Sequence, residues 1–319
     1  MREVIIGEND KEQRLDRFLK KYLPKAPNHL LQKYIRTKKI KVDKKRAQPD
    51  QILNKDDVLN IYIYDEVLKE YEVEKERELK KVHLDILYED EDICLINKPV
   101  DMLSHPAGPE DYGRTIVDHF VTYLIIQEEY IPRKEKSFVP ALANRLDRNT
   151  SGLIMGCKNA HSLKYFNQQF RGRNITKIYR TICKGNIRDQ RITKSLEKDE
   201  EINKVEVRES GKESITKVRN LHTNGEYSYI EIELITGRTH QIRAHLAAVG
   251  HPVIGDIKYG DRNINKKMKK LGLSFQLLHS YGLEFNNIEG HLNQKKITAP
   301  LPENFLKIYR VLFGGDPRD

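Results

Sequence analysis

Two short segments near the start of the chain have apolar residues at helical spacing. In each segment these residues fall on one helix face: Leu15, Phe18, Leu19, Tyr22 and Leu23 in the first, and Leu30, Leu31, Tyr34 and Ile35 in the second. Two segments of alternating apolar and polar residues, typical of strands, follow: Ile40 and Val42, then Leu59, Ile61 and Ile63. The pattern predicts a compact unit of two helices and a small hairpin over residues 1–65.

The next segment, residues 66–82, carries charges of both signs and contains no glycine. This composition is typical of a solvated linker, so we place a domain boundary there. Beyond it, residues 83–319 combine buried-strand runs such as Ile93–Ile96 with helical faces such as the one between Ile116 and Leu124. Because strands and helices do not alternate strictly, the pattern predicts an α+β domain rather than a doubly wound sheet.

The charge of the chain points to a class of partner. There are 57 basic and 47 acidic residues, a formal net charge of +10, which favours a polyanion. A generally lysine-rich, solvated surface is the alternative. Basic residues concentrate in residues 33–46, where Asp43 is the one acidic residue: Lys33, Arg36, Lys38, Lys39, Lys41, Lys44, Lys45 and Arg46. These eight side chains, here called the basic segment, are candidates for contacts with phosphate groups.

Three cysteines, Cys94, Cys157 and Cys183, lie in apolar segments and form no Cys-x-x-Cys pair. The pattern predicts buried thiols in a reducing compartment rather than a disulfide framework or a zinc site. The first residues resemble neither a signal peptide nor a transit peptide, and no apolar run approaches the length of a membrane span. We therefore expect a soluble, cytoplasmic protein without a membrane partner.

An aspartate between two arginines is the most unusual feature of the middle of the chain. The segment Asn144–Ile154 reads NRLDRNTSGLI, with Asp147 between Arg145 and Arg148. Neighbouring guanidinium groups favour an ionised carboxylate, which can act as a nucleophile or a base. The alternative is an Asx-type turn, in which Asp147 caps its own backbone before a strand. The residues alone leave both interpretations open.

A second segment, residues 236–246, reads TGRTHQIRAHL. Thr239 is a candidate N-cap of a helix that turns Ile242 toward the core. Arg243 follows Ile242 by one residue, so it would point along the edge of that face into a cleft. Arg238 lies at the helix entry, where backbone N–H groups also favour phosphate.

Three histidines in and after this segment, His240, His245 and His251, are spaced by five and six residues. A pair of metal ligands on one helix face needs a spacing of three or four. We therefore predict no metal site and expect structural or ligand-contacting histidines.

A third segment, Lys177–Arg180, places alternate polar side chains on one face of a strand. Tyr179 in this segment has the chemistry to stack on a base or to move a proton. A tyrosine at the edge of the core is the alternative, and the sequence alone favours it.

Together these segments resemble the RluA-type pseudouridine synthases. The family pattern His-Arg-Leu-Asp-x-x-Thr-Ser-Gly is matched by residues 144–152, and Thr-Gly-Arg-Thr-His-Gln-Ile-Arg-x-His-Leu is intact at residues 236–246. The second match continues as GHPVIGD and YG up to residue 260, and weaker matches include Asn97-Lys98-Pro99. The resemblance covers about residues 84–303. Residues 1–65 are similar to the alpha-L RNA-binding module that often precedes this catalytic domain.

The chain departs from the family pattern at a few positions. Asn144 replaces the histidine of the aspartate motif, and Asp101 stands where glycine is usual after Lys-Pro. In the N-terminal unit Lys39 replaces a turn glycine, and residues 27–29 replace a Ser-Arg-Ser-like run. Because Asn144 is not the nucleophile, we expect it to change local hydrogen bonding and to leave the chemistry intact.

The resemblance implies a fold and a reaction. The catalytic domain should be α+β, with a mixed, largely antiparallel sheet that is split by a central cleft and flanked by helices. The implied reaction isomerises uridine in RNA to pseudouridine and needs no cofactor. The basic segment would then contact RNA.

The resemblance also implies roles for residues already singled out. Asp147 would be the nucleophile, Arg243 its ion-pair partner, and Tyr179 would lie against the target uracil. Three more residues would bind the substrate: Arg145, Ile242 and Arg238.

The RNA target is a separate question. Large-subunit ribosomal RNA is our first candidate, because the combination of module and domain resembles enzymes that act on it, and transfer RNA is the alternative. A non-catalytic RNA-binding ribosome assembly factor is the alternative of another class. The joint presence of Asp147, Tyr179 and Arg243 argues against that alternative. We expect the protein to be a monomer.

Overall fold

The computed structural model describes residues 1–72, 82–132, 136–199 and 204–317. Its N-terminal unit, here called the module, consists of β1 (Arg2–Ile5), α1 (Leu15–Tyr22), α2 (Asn28–Arg36), β2 (Ile40–Val42), β3 (Lys45–Arg46), β4 (Val58–Ile61) and α3 (Asp65–Tyr71). The four strands form an antiparallel sheet in the order β1-β4-β2-β3. A β-strand therefore precedes the two predicted helices.

Both helices of the module bury the faces predicted from their apolar spacing. Leu15, Phe18 and Leu19 of α1 are buried, and so are Leu31 and Ile35 of α2. They share one core with the buried residues of β2 and β4. The two predicted helices and the two predicted strands are confirmed as α1, α2, β2 and β4.

The module extends beyond the predicted boundary at residue 65. Helix α3 covers the beginning of the segment predicted to be a linker, and its Leu68 is buried in the module core. Because Val67 and Tyr71 of the same helix also pack against this core, this part of the linker prediction is wrong. Residues 73–81 of the predicted linker lie outside the described residues.

Two non-glycine residues take the left-handed backbone conformation near positions where the family pattern has glycine. Asp101 has φ 61°, and aspartate is one of the few residues that tolerate this conformation. In the turn between α2 and β2 the left-handed residue is Lys38, also with φ 61°. The placement of the turn glycine at Lys39 is therefore wrong by one residue.

The larger domain contains five helices, eleven strands and a short 3₁₀ turn among the described residues. Its first half comprises β5 (Ile86–Glu89), β6 (Ile93–Lys98), α4 (Ile116–Ile126), β7 (Ala141–Leu142), β8 (Ser151–Cys157), α5 (Ala160–Gly172) and β9 (Ile175–Lys184). Its second half comprises β10 (Gln190–Asp199), β11 (Lys204–Val207), β12 (Lys212–Thr223), β13 (Tyr227–Leu234), α6 (Gln241–Ala248), α7 (Arg262–Lys270), β14 (Leu278–Phe285), β15 (Lys296–Thr298) and α8 (Glu303–Phe313).

All eleven strands belong to one sheet. Nine follow the order β11-β10-β12-β13-β9-β14-β8-β6-β5, while β15 pairs with β14 and β7 pairs with β8. Of the described strand pairs, β14 with β8 is parallel and the others are antiparallel. The predicted α+β class with a mixed, largely antiparallel sheet is confirmed.

The two halves of the sheet meet at the short parallel contact between β14 and β8. His279 lies opposite Ser151, and Ser280 lies opposite Gly152. Gly152 has φ 103°, and a Cβ atom there would lie 2.2 Å from the carbonyl oxygen of Ser280, so only glycine permits this approach. Because β8 follows the loop 143–150, the junction holds Asp147 at the centre of the sheet.

Burial in the domain follows the sequence pattern. Cys94, Cys157 and Cys183 are buried free thiols, as predicted, and burial raises the pKa of each to about 12. Within the described ranges, every helix is too short or too polar to span a bilayer.

The module contacts the larger domain through the turn that precedes α1. The fully buried Asp10 carboxylate accepts hydrogen bonds from the backbone N–H and hydroxyl of Ser137 (2.7 and 2.6 Å) and from the Lys136 N–H (3.1 Å). Asn9 accepts one from the N–H of Ala160 (3.0 Å), at the start of α5. These bonds dock the module against the segment that leads to the loop containing Asp147.

Candidate active site

A cavity of about 370 Å³ opens at the sheet junction, where β9 and β14 meet helix α6 and the loop 143–150. Its apolar lining comprises Leu146, Phe170, Tyr179, Leu234, Ile242 and Leu278. Its charged and polar lining includes Asn144, Arg145, Asp147, Lys177, Arg238, His240 and Arg243. The structure thus brings together the six residues that the sequence predicts as catalytic or substrate-binding. This cavity is called the base cavity below.

Asp147 presents its carboxylate to the base cavity. The side chain is 27% exposed, and its Oδ2 lies 3.2 Å from Nη1 of Arg243 and 3.7 Å from Nε2 of His240. Among the described residues no backbone N–H donates to this carboxylate. The Asp147 carbonyl oxygen accepts the local bond instead, from the Thr150 N–H at 3.0 Å. The carboxylate therefore does not cap an Asx turn and is accessible to a ligand.

Arg243 is held by two carboxylates at once. Its Nε and Nη2 donate to the two carboxylate oxygens of Asp256 at 2.6 and 2.9 Å, which leaves Nη1 for Asp147. Burial disfavours the charged guanidinium, but the hydrogen bonds and negative charges of Asp256 and Asp147 raise the pKa of Arg243 above its ordinary value. The planar fork of an arginine permits this shared geometry, and lysine could not reproduce it.

Asp256 is a site residue that the sequence reasoning missed. Its side chain is fully buried, and Oδ1 also accepts the backbone N–H groups of Lys258 and Tyr259 (2.9 and 3.1 Å). Asp256 therefore fixes the direction in which Arg243 points. Its match to the family pattern at residues 250–256 was the signal in the sequence, but spacing alone does not reveal the pairing of two residues thirteen positions apart.

Helix α6 begins differently from the prediction. The N-cap is His240, with φ 51°, and no side chain caps the helix, so the prediction of Thr239 as N-cap is wrong. The Gln241 side chain organises this turn, because its Oε1 accepts the Arg238 N–H at 3.1 Å and its Nε2 donates to the Ile215 carbonyl at 3.0 Å. The N–H of Arg238 is therefore not available to a phosphate.

His240 faces Asp147 as a neutral imidazole. Burial, helped by the charge of Arg243 and opposed by that of Asp147, lowers the pKa of His240 to about 4. Nδ1 lies 3.0 Å from the Tyr259 hydroxyl, whose oxygen accepts the Val205 N–H at 2.7 Å. Nδ1 and the Tyr259 hydroxyl thus form a hydrogen bond, and Nε2 is the ring nitrogen that faces Asp147. His240 thus adds a polar contact to Asp147 without adding charge at neutral pH.

Tyr179 forms part of the floor of the base cavity. The side chain is buried, and it hydrogen-bonds Ser280 at the sheet junction. Burial, with a contribution from the Asp147 charge, raises the pKa of Tyr179 well above its ordinary value. The phenol therefore stays protonated at neutral pH and presents an uncharged ring and hydroxyl.

Lys98 stabilises the loop that contains Asp147. The sequence did not identify it as a site residue. Its side chain is fully buried, and Nζ donates to the carbonyl oxygens of Pro99 (2.7 Å), Met102 (2.6 Å) and Arg148 (2.9 Å). Burial lowers the pKa of Lys98 to about 7, while the Asp147 carboxylate acts in the opposite direction. Three carbonyl acceptors match the three donors of an ammonium group, so Lys98 ties the turn after β6 to the residue that follows Asp147.

Two further side chains hold the residues before Asp147. The Ser104 hydroxyl accepts the Leu146 N–H at 3.0 Å and donates to the Leu146 carbonyl at 2.8 Å. Asn144 accepts the Met155 N–H at 2.8 Å through Oδ1, which stabilises the loop against β8. Asparagine can accept this bond in place of the family histidine, so the departure at Asn144 leaves the loop anchored.

The other predicted substrate-binding residues occupy different depths. Ile242 is buried in the wall of the base cavity, whereas Arg145 and Arg238 are exposed at its rim. The rim is therefore basic and the interior apolar, an arrangement suited to a base that carries a phosphate backbone outside.

The basic segment lies on the module surface. Seven of its eight side chains are exposed, and Lys41 is half-buried. Within the part of the chain that the structure describes, none of the eight forms an ion pair, while Lys39 and Lys41 lie over the rings of Tyr34 and Tyr62. Their charges are thus not neutralised by the described residues.

Comparison with known proteins shows which protein family this chain resembles. The sequence profile described as RNA pseudouridylate synthase matches residues 92–248. Ribosomal large subunit pseudouridine synthase C of Vibrio parahaemolyticus is 30% identical over 317 residues, covering 98% of this chain and 95% of that protein. Ribosomal large subunit pseudouridine synthase D of Borreliella burgdorferi is 32% identical over 250 residues, covering 76% of this chain and 74% of that protein.

Solved structures share the fold. Human RNA Pseudouridylate Synthase Domain Containing 4 superposes with a TM-score of 0.56 at 22% identity, covering 71% of this chain and 92% of that one. Human RNA Pseudouridylate Synthase Domain Containing 1 superposes with a TM-score of 0.53 at 20% identity, covering 74% and 97%.

Proposed function

Because this chain belongs to the RNA pseudouridylate synthase family, an isomerase family that converts uridine in RNA to pseudouridine, we propose that it modifies large-subunit ribosomal RNA with Asp147 as its nucleophile. The observation that carries the proposal is the Asp147–Arg243–Asp256 arrangement at the mouth of the base cavity. A carboxylate that is paired but still partly exposed can reach a substrate atom without first losing a backbone hydrogen bond.

The chemistry requires one bond to be exchanged for another on the same ribose. The bond from the ribose to N1 of uracil breaks, the detached uracil turns over, and C5 bonds to the ribose. The C5 proton leaves, and N1 gains a proton, so no oxidation or reduction occurs. Asp147 would attack the sugar or the base, and Arg243 would keep its carboxylate charged and oriented.

Tyr179 would lie against the uracil during this turn. Its raised pKa favours the neutral phenol, so packing against the base is better supported than removal of the C5 proton by a phenolate. Ile242 would pack against the base from the wall of the cavity. The apolar surfaces would hold the detached uracil while it turns, and the cavity would exclude water from it.

The two exposed arginines would act outside the cavity. The target uridine must leave its stack at a cost of a few kcal/mol. Arg145 lies next to Asp147 in an exposed position and would fill the space that the base vacates. Arg238 would contact the backbone through its side chain, because its N–H is engaged by Gln241.

Ribosomal RNA is preferred over transfer RNA because the relatives that span almost the whole chain, module included, are named as ribosomal large subunit pseudouridine synthases. A non-catalytic assembly factor is disfavoured, because the paired carboxylate, the arginine and the tyrosine lie in one cavity. Cytoplasmic location and a monomeric state stay predictions.

Mapping pseudouridines in cells with and without the gene tests the proposal. We expect at least one position in large-subunit ribosomal RNA to revert to uridine when the gene is deleted and to be restored by the wild-type gene. Loss confined to transfer RNA would replace the substrate, and a pseudouridine map unchanged in both RNAs would contradict the function.

The basic segment is expected to add affinity rather than chemistry. Changing Lys33, Arg36, Lys45 and Arg46 to glutamine removes four exposed charges. Removing one ionic interaction with a phosphate should reduce the log–log slope of affinity against salt by about 0.7–0.9. We expect KM for the RNA to rise far more than kcat falls, measured by binding titrations at several salt concentrations and by steady-state kinetics.

A matched variant changes four lysines on α7, Lys266, Lys267, Lys269 and Lys270, to glutamine, which alters the net charge equally. This control should keep most of the affinity and slope. Equal losses in both variants would mean that only overall charge matters, and an unchanged slope in the first would remove the basic segment from RNA binding.

A further inference from the structure

A second cavity, of about 650 Å³, adjoins the base cavity. The two share a wall made of Arg145, Leu146, Asp147, Thr239, His240 and Arg243. The rest of the second cavity is built from the turn after β6, the residue after Asp147, the end of β10 and the turn after Asp256. Asp147 therefore lies at the boundary between two cavities. The base cavity explains only where the target base would bind.

The charge of the second cavity suits a polyanion. Five basic side chains line it: Arg145, Arg148, Lys198, Arg243 and Lys258. Among its described lining residues the one carboxylate is Asp147. Arg148 lies 3.7 Å from Asp111, and its side chain is 53% exposed, so this pair is loose and solvated. Burial and the nearby Arg145 lower the pKa of His105, and burial lowers that of His240, so both histidines of the lining are uncharged at neutral pH.

An isoleucine is presented to solvent in the same cavity. Ile257 is 76% exposed and precedes Lys258 in a turn whose backbone is held by Asp256. A single exposed apolar residue is common on protein surfaces and means little alone. Here it lines the same cavity as Lys258, on a turn anchored by the carboxylate that orients Arg243. An apolar face beside a charge matches the base or ribose and the phosphate of one nucleotide.

The direction of the RNA chain connects the two cavities. With the target uracil in the base cavity, its ribose must lie at Asp147, because the carboxylate has to reach the sugar or the base. The phosphates on either side of that ribose must then leave past Asp147, and the second cavity opens at that point. We propose that the second cavity binds the nucleotide adjacent to the target uridine, with Lys258 and Arg148 at its phosphate and Ile257 against its nucleoside. This inference rests on the proposed function.

The experiment combines a protein change with an RNA change. Lys258→Gln is compared with wild type on short RNAs that contain the mapped target uridine. Each RNA has one uncharged methylphosphonate, either 5′ or 3′ of that uridine. We expect Lys258→Gln to weaken binding of unmodified RNA about tenfold, as removal of a charge-assisted hydrogen bond does. One of the two methylphosphonates should cost wild type a similar factor, and that RNA should bind Lys258→Gln with almost no further loss.

Non-additivity at one phosphate identifies the contact and its side of the target. Lys267→Gln, on the exposed surface of α7, is the matched control and should lose affinity additively with both modified RNAs. Full additivity for Lys258→Gln and, in a repeat, for Arg148→Gln at both phosphates would overturn the proposal. Ile257→Ser should weaken binding of the target RNA and leave binding of an RNA with an abasic adjacent position unchanged. Equal loss on both RNAs would remove Ile257 from the contact.

Failure of this inference and failure of the proposed function have different signatures. Pseudouridine formation by wild type is measured on the same RNAs. If wild type forms pseudouridine while the binding effects are additive, this site alone is wrong. If wild type forms none on any RNA, the proposed function is wrong.

Discussion

Asp147→Asn is expected to abolish pseudouridine formation, with a loss of about 10⁴-fold or more, while RNA binding stays within a fewfold of wild type. The amide has almost the shape of the carboxylate but is not a nucleophile, and removal of a nucleophile costs enzymes factors of this size. Asp147 is partly exposed and accepts no backbone hydrogen bond from the described residues, so the fold should tolerate the change. Single-turnover assays with purified protein and an RNA-binding titration measure the two quantities.

Asp101→Asn is the matched control for this substitution. It removes an exposed carboxylate from a nearby turn, and asparagine tolerates the left-handed conformation found there. Activity close to wild type is expected. Substantial pseudouridine formation by Asp147→Asn would rule out Asp147 as the nucleophile.

Arg243→Lys is expected to lower activity about 100-fold or more, because lysine cannot bond Asp256 through two nitrogens and reach Asp147 with a third. Arg243→Ala should be worse in two respects. It leaves Asp147 without its hydrogen-bond partner, so the carboxylate loses its orientation and activity should fall further. It also leaves the fully buried Asp256 uncompensated, which typically costs about 3–5 kcal/mol of stability.

Asp256→Asn separates orientation from charge. It keeps a hydrogen-bonding side chain beside Arg243 and leaves the Asp147–Arg243 pair in place. We expect an intermediate loss of activity. Thermal unfolding of each variant, measured beside activity, distinguishes a misfolded protein from a misaligned site. Arg188→Ala, at an exposed position outside the base cavity, serves as the control. Near-normal activity of Arg243→Ala would instead favour Arg238 as the partner of Asp147.

The sequence predicted a helix or strand correctly where the local pattern and the tertiary packing favour the same structure. The periodicity at Leu15–Leu23 and the apolar run at Ile93–Ile96 predicted a helix and a strand correctly, because the helix buries one face and the run is buried throughout. The helix α3 was missed, because its one buried residue, Leu68, is too weak a signal among charges. The N-cap at Thr239 was misplaced, because the Gln241 side chain bonds to distant Ile215 and sets that turn.

The features of the site were likewise predicted only in part from the sequence. The residue types around Asp147, in Lys177–Arg180 and in residues 236–246, with their match to a family, were enough to name six of the side chains that line the base cavity. The sequence alone did not distinguish a nucleophilic Asp147 from one that caps an Asx turn. It also did not distinguish a Tyr179 in the site from a tyrosine at the edge of the core. For the described residues the structure excludes the Asx turn, because Arg243 and His240, rather than backbone N–H groups, surround the carboxylate. The role of Asp147 as nucleophile stays a prediction.

The difference between what the sequence predicted and what it missed has one physical cause. Hydrophobic periodicity and motif spacing are local properties, so the sequence determined the elements, their buried faces and the chemistry available to them. The pairing of Arg243 with Asp256 and the support of the Asp147 loop by Lys98 depend on contacts between residues far apart in the chain. Such contacts depend on the way the strands pair, in particular on the approach of Gly152 to Ser280 that joins the two halves of the sheet. Tertiary structure alone decided which charges meet there, because their energies depend on burial and on distances of a few ångströms, which no spacing along the chain specifies.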